Sequence, residues 1–148
     1  MRKIIYSLLL MIVSLTGACT FNNVAINQEA DNQDGKVFLN EVYKKISTKD
    51  FDEVDTLVGD SLKQLAGSHG ISKLLKFINT KVGSCKNYKI SDLYIRNIAG
   101  NTNEISYNYK LKVTYQKGTI DEIIGFRRQN GGSIKINSYH AYSDLLIH

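Results

Sequence analysis

Glu122 and His140 are the two side chains of this 148-residue chain that could pass a proton between them. A carboxylate and an imidazole held together away from water have one pKa raised by desolvation and the other fixed by charge pairing, which suits proton transfer. No other group of residues comes as close to a reaction centre. Cys85 has no Cys-X-X-Cys neighbour and no paired histidines, so no metal site and no cofactor are read from the sequence. A buried or half-buried structural thiol between a helix and a strand is expected there; a reactive or intermolecular thiol is the other reading in an oxidising compartment. His69, between Gly67-Ser68 and Gly70, reads as a solvated loop residue.

Strand register decides whether Glu122 meets His140. The stretch EISYNYKLKVTY at 104–115 alternates strictly, with apolar or aromatic side chains at odd positions and polar ones at even positions. That is the pattern of a strand with one face on a core and one in water. Further strands are predicted over 88–98, 119–128 and 133–142. A two-residue Lys117-Gly118 hairpin loop pairs Tyr115 with Ile120, Val113 with Glu122, Leu111 with Ile124 and Tyr109 with Phe126. A three-residue turn at 130–132 pairs Phe126 with Ile136, Ile124 with Ser138, and Glu122 with His140. Both residues then point to the inner, concave face, and a slip of one residue in either hairpin would turn one of them outward. Tyr107, Tyr109, Ile124, Phe126 and Tyr142 could line a pocket on that face. Lys110, Lys112, Arg127 and Lys135 project from the outer face, either as a basic surface toward anionic headgroups or an acidic protein, or as a solvated sheet face. Tyr139 is expected on the side away from the core, where it could join an interface.

Upstream of the strands the period is helical. Phe38, Leu39, Val42, Tyr43 and Ile46 make one face of a helix over 36–47, and Phe51, Val54, Leu57 and Val58 one face of a shorter helix. A turn or two surrounds Leu62 and Leu65. The strongest helix covers 71–82, with Gly83 in the stop position. Helices followed by a four-stranded antiparallel meander predict an α+β domain over 36–148, with a curved sheet wrapped on N-terminal helices. The element order, and phrases such as KKISTKDFDEVDTLV and YQKGTIDEIIGFRRQNGGSIKINSY, resemble the nuclear transport factor 2-like (cystatin-like) superfamily, in particular its small bacterial lipoprotein members. The resemblance covers 36–142. It implies a cone-shaped fold and no particular activity, because that superfamily holds isomerases, dehydratases, secretion components and many domains of unknown role.

The N-terminus speaks to location. Arg2 and Lys3 precede an apolar run at 4–15, too short to span a bilayer comfortably, and Gly17-Ala18-Cys19 follows. This resembles the lipobox of bacterial lipoproteins, with Thr16 where that family usually has Leu and Leu15 one place earlier. The resemblance implies a lipoprotein signal peptide over 1–18 and lipid (palmitate among its acyl chains) on Cys19. Several acyl chains anchor a protein stably without a transmembrane helix. An ordinary secretory signal cut near Ala18, leaving Cys19 a plain thiol, is the alternative. Thr20 is not the Asp that favours inner-membrane retention, so the resemblance implies the outer membrane, facing the periplasm, in a Gram-negative host. In a Gram-positive host it implies the outer face of the only membrane. The segment 19–35, rich in Asn, Gln and Asp, reads as a flexible tether.

Loss of Arg2 and Lys3 takes the formal charge from +5 to +3, a weak basis for an acidic partner and none for nucleic acid. The expected function is a lipid-anchored envelope protein whose domain binds a protein or small ligand without chemistry, as an accessory or an inhibitor/immunity protein. The alternative is an isomerase- or hydrolase-like enzyme using Glu122 and His140 in the concave pocket.

Overall fold

The computed structural model describes residues 23–147; the predicted signal peptide and Cys19 lie outside the described residues. The chain forms β1 (Asn23–Ile26), α1 (Glu29–Ser47), α2 (Phe51–Thr56), α3 (Asp60–Ala66) and α4 (Gly70–Val82), then β2 (Cys85–Ala99), β3 (Glu104–Tyr115), β4 (Gly118–Gln129) and β5 (Lys135–Tyr142). A short 3₁₀ turn, Asp144–Leu146, follows. The strands make one open antiparallel sheet in the order β1-β2-β3-β4-β5. The architecture is α+β as expected, with five strands among the described residues rather than four.

The extra strand lies in the segment read as a tether. Asn23 to Ile26 pair with Ala99 to Arg96 at the far edge of β2. Asn27, in the left-handed region at φ 51°, continues the pairing, because its backbone N–H donates to Ile95 O and its side chain accepts from Ile95 N. The helix after it starts seven residues earlier than the apolar stripe implied. The buried face of α1 runs Asp31, Gly35, Phe38, Leu39, Val42, Tyr43, Ile46, so its helical spacing continues upstream through two residues that are not hydrophobic. Asp31 is held by Asn97 Nδ2 of β2 at 3.1 Å, and Glu29 and Asp31 complement the positive end of the helix dipole.

Gly35 is there for room. A Cβ at this position would run into the Tyr109 hydroxyl and lie 2.6 Å from Tyr107 Cδ1. Both tyrosines are completely buried under α1, and their hydroxyls have no hydrogen-bond partner among the described residues. The core fills the space between helices and sheet with Leu39, Val42, Leu75 and Ile78 on the helical side and Ile95, Leu111, Ile120, Ile124 and Phe126 on the sheet side. Phe38 meets Phe126 edge to face at 4.8 Å.

The β3–β4 hairpin turns on Gln116-Lys117, one residue before the predicted loop, so Tyr115 pairs with Gly118, Val113 with Ile120, Leu111 with Glu122 and Tyr109 with Ile124. The shift moves every predicted pair by two residues and leaves the parity intact, so Glu122 still faces inward. The turn is fixed from outside the hairpin: Lys117 N–H donates to Val82 O and Gln116 N–H to Ser84 O at the end of α4. The β2 strand begins earlier than expected and carries two bulges, with Lys86 and Ser91 as its extra residues.

Gly35→Ala should lower stability by about 1–3 kcal/mol through overpacking, against alanine's helix-propensity advantage of about 1 kcal/mol. Tyr109→Phe, which deletes a buried unpaired hydroxyl, should be neutral or stabilising and should recover part of that loss in the double variant. Urea unfolding of the four proteins checks this.

Candidate functional site

Glu122 sits at the centre of the inner face of β4 and is 1% exposed. Three tyrosine hydroxyls converge on its carboxylate from three different elements. Tyr43 of α1 donates to Oε2 at 2.5 Å and Tyr139 of β5 donates to the same oxygen at 2.7 Å. Tyr115, at the end of β3, donates to Oε1 at 2.7 Å. Tyr43 and Tyr115 are each 3% exposed, so the cluster is shut off from water.

Such a site works against itself electrostatically. Burial raises the pKa of Glu122, and the hydroxyls of Tyr43, Tyr139 and Tyr115 pull it back down; burial prevails. The tyrosines in turn are raised, first by burial and then by the neighbouring carboxyl. Cys85, 8% exposed, lies beside the cluster, and burial with the nearby Glu122 pushes its thiol up to about 12. A thiol in that state is inert at neutral pH. It is a small core residue at the helix-to-strand junction.

His140 takes no part. In β5 it pairs with Ile123 and lies on the exposed outer face, while Glu122 pairs with Ala141. The cause is a bulge. Phe126 pairs with Ile136 as expected, but Gly125 pairs with Ser138, leaving Asn137 as an extra residue. A Cβ on Gly125 would clash with Ser138 Oγ and lie 2.9 Å from Asn137 Oδ1, which shows that both side chains stand on the outer side, in the space the glycine leaves. From there the register is displaced by one. Tyr139, predicted to face away from the core, turns inward onto Glu122; His140 and Tyr142, predicted to face inward, turn outward and stack on one another at 6.2 Å. The Glu122–His140 pair is therefore not formed. Of the residues proposed to line a pocket, Tyr107, Tyr109, Ile124 and Phe126 are packed into the core and Tyr142 is exposed.

The four cations expected on the outer face all have partners, three of them on the sheet, whereas the Lys135 amine turns to the end of α2. Lys110 bridges to Asp92 at 2.9 Å, Lys112 to Asp121 at 2.5 Å, and Arg127 to Glu104 at 3.6 Å. Lys135 Nζ donates to Thr56 O. Arg127 and Lys135 are cross-strand neighbours and share a polar cleft of about 440 Å³ with Ser61, Gln129 and Asn137; Lys110 and Lys112 do not reach it. A second groove, of about 520 Å³, runs between α1 and the start of β2, with Tyr43 and Cys85 beside Asn40, Lys44 and Lys86.

His69 is a solvated turn residue as expected, and it also touches Asp55. Its Nδ1 lies 3.3 Å from Asp55 Oδ2, and Asp55 Oδ1 accepts the backbone N–H of Ser72 at 3.0 Å. Asp55 thus caps the first turn of α4 from α2, a tertiary substitute for a local cap. The neighbouring Asp52 is bridged by Lys76 at 2.7 Å, which holds its carboxyl below the usual range. The ligand atoms of Asp52, Asp55 and His69 lie within 4.8 Å of one another, and these contacts account for them as a helix-to-helix tie.

Compared with known proteins, the chain matches no family model and no curated protein.

A carboxyl whose pKa is raised on folding binds its proton more tightly in the folded state. It stabilises the protein in acid, and that stability is lost as pH rises from the ordinary glutamate value of about 4.3 toward the raised one. The wild-type melting temperature should therefore fall relative to that of Glu122→Gln as pH is raised through this window. Glu122→Leu, which leaves three buried hydroxyls without their acceptor, should cost about 2–4 kcal/mol in acid and less as pH rises through the same window, measured by chemical denaturation. The Cys85 thiol in the folded protein should react with a maleimide about 10³-fold more slowly at pH 8 than in the unfolded chain, since a pKa near 12 leaves almost no thiolate.

Proposed function

We propose that this chain is a lipid-anchored cell-envelope protein whose domain binds a protein partner or small ligand without carrying out chemistry, built on the cone of the nuclear transport factor 2-like (cystatin-like) superfamily. The observation that carries this reading is the N-terminal pattern: Arg2 and Lys3, an apolar run too short to span, then Gly17-Ala18-Cys19. Lipid on Cys19 holds the protein at the membrane. Thr20 directs it to the outer membrane, facing the periplasm, in a Gram-negative host.

The inner face supports binding over catalysis. The carboxyl best placed for acid–base work is enclosed by three hydroxyl donors, and the thiol beside it, Cys85, is held protonated. General acid–base catalysis needs a group within hydrogen-bond reach of a substrate, and Glu122 is packed inside the core. Binding falls to the surface: the basic cleft around Arg127 and Lys135, or the groove along α1. The five-stranded antiparallel sheet with helices covering its inner face agrees with the proposed cone.

The test is expression of the full chain with Cys19 intact or as Cys19→Ala, followed by fractionation and mass spectrometry of the N-terminal peptide. The expected result is a membrane-bound wild type bearing acyl mass on Cys19 and a Cys19→Ala protein that carries none. An unmodified Cys19 at the N-terminus or within the mature chain contradicts the anchor. Cross-linking in intact cells then identifies the partner, and Arg127→Glu should weaken its capture if the basic cleft is the binding surface.

A further inference from the structure

The geometry points to a membrane-docking face: we infer that the outer side of the β1–β2 edge, around Val24, Ile26, Tyr94, Lys89 and Arg96, rests on the anionic headgroups of the membrane that holds the lipid on Cys19. The inference rests on the anchor proposed above and goes beyond it, because an anchor alone leaves the domain free to tumble on a tether.

Chain length comes first. The segment read as a tether is largely strand and helix, so little chain remains between lipid and domain. Asn23 opens β1 only four residue steps after Cys19. Whatever path residues 20–22 take, four steps cannot exceed about 14 Å. The headgroup layer is itself about 5–8 Å thick on each side of the hydrocarbon. β1 is therefore held at the membrane surface.

Side-chain chemistry comes second. Val24 pairs with Ile98 and Ile26 with Arg96, and Arg96 pairs with Ser106 on the polar side of β3, so these side chains lie on the outer face. Val24 is 57% exposed, Ile26 56% and Tyr94 46%. Exposed apolar side chains on a strand at the sheet edge invite pairing with another chain unless something covers them. An aromatic and aliphatic patch flanked by cations is the composition that sits at a headgroup boundary.

Charge comes third. Asp92, Glu104 and Asp121 bridge Lys110, Arg127 and Lys112 on this face. Lys89 and Arg96, on the strand next to β1, form no ion pair within 4.0 Å among the described residues, and Arg96 shares the field of Glu104 with Arg127.

The full lipidated chain carrying Ile26→Cys is labelled with an environment-sensitive fluorophore and placed in vesicles of phosphatidylethanolamine and phosphatidylglycerol. Leu65→Cys, at a position 87% exposed on α3, is the control. Cys85 is buried and stays unlabelled in the folded protein. Mass spectrometry of the same samples reports the lipid on Cys19 independently. With lipid present, nitroxide-bearing lipids should quench the probe at position 26 by about twofold or more and leave the probe at position 65 unaffected, as expected for insertion at the headgroup boundary. Reversing charge with Lys89→Glu and Arg96→Glu, or using phosphatidylcholine alone, should reduce that quenching. Lipid present with the two probes behaving alike overturns the docking face and leaves the anchor standing. Shielding of this edge by a second copy, seen as disulfide cross-linking between two unlabelled Ile26→Cys chains without lipid quenching of the labelled ones, also overturns it. Absence of lipid mass overturns the anchor and the inference with it.

Discussion

One buried carboxyl holds this fold together. The Glu122 side chain is satisfied only if the first helix, the end of β3 and the last strand all deliver a tyrosine hydroxyl to the same few cubic ångströms. An isolated carboxylate at that depth would be prohibitively costly. The three donors and the shift toward the protonated form together offset that cost. Because each donor comes from a different element, the position of α1 over the sheet, the β3–β4 register and the bulge in β5 are coupled. Displacing any one leaves a polar group buried without a partner, which is how a satisfied polar network favours one arrangement of a core.

The same arrangement explains how much could be read from the sequence. The strict alternation of β3 gave its boundaries and its inner face, and inward parity for Glu122 survived an error in the turn because that error was an even number of residues. The pairing with His140 did not survive, because the β4–β5 hairpin contains one bulged residue, and a displacement of one reverses every side chain beyond it. The available signal was Gly125, a glycine within an otherwise bulky strand, which marks bulges and close approaches. Tyr139 and Glu122 are recognisable as partners only once that bulge is known.

The start of the domain was hidden for a different reason. Hydrophobic periodicity ends at Phe38, yet the buried face of α1 continues through Gly35 and Asp31, one small enough to lie on two tyrosines and the other paired with Asn97. Burial without hydrophobicity leaves no trace in a periodicity pattern. β1, four residues long and exposed on one face, is equally faint, and its ordering depends on pairing with β2 far away in sequence. Those elements leave less unstructured chain ahead of the domain than the composition of the segment 19–35 implied, since the described part of it is largely strand and helix. The interior is closed around an internal hydrogen-bond network, so any group that meets a partner must lie on the surface.

The central claim is that Glu122 is a closed structural centre. The most direct test is a ¹³C NMR titration of its side-chain carboxyl in the folded protein, with the hydroxyl protons of Tyr43, Tyr115 and Tyr139 observed in parallel. The account predicts a midpoint raised above the ordinary glutamate value and three slowly exchanging hydroxyl protons that shift together with the carboxyl. A midpoint at the ordinary value, with hydroxyl protons exchanging freely with water, would mean that the cluster is open to solvent and would contradict it.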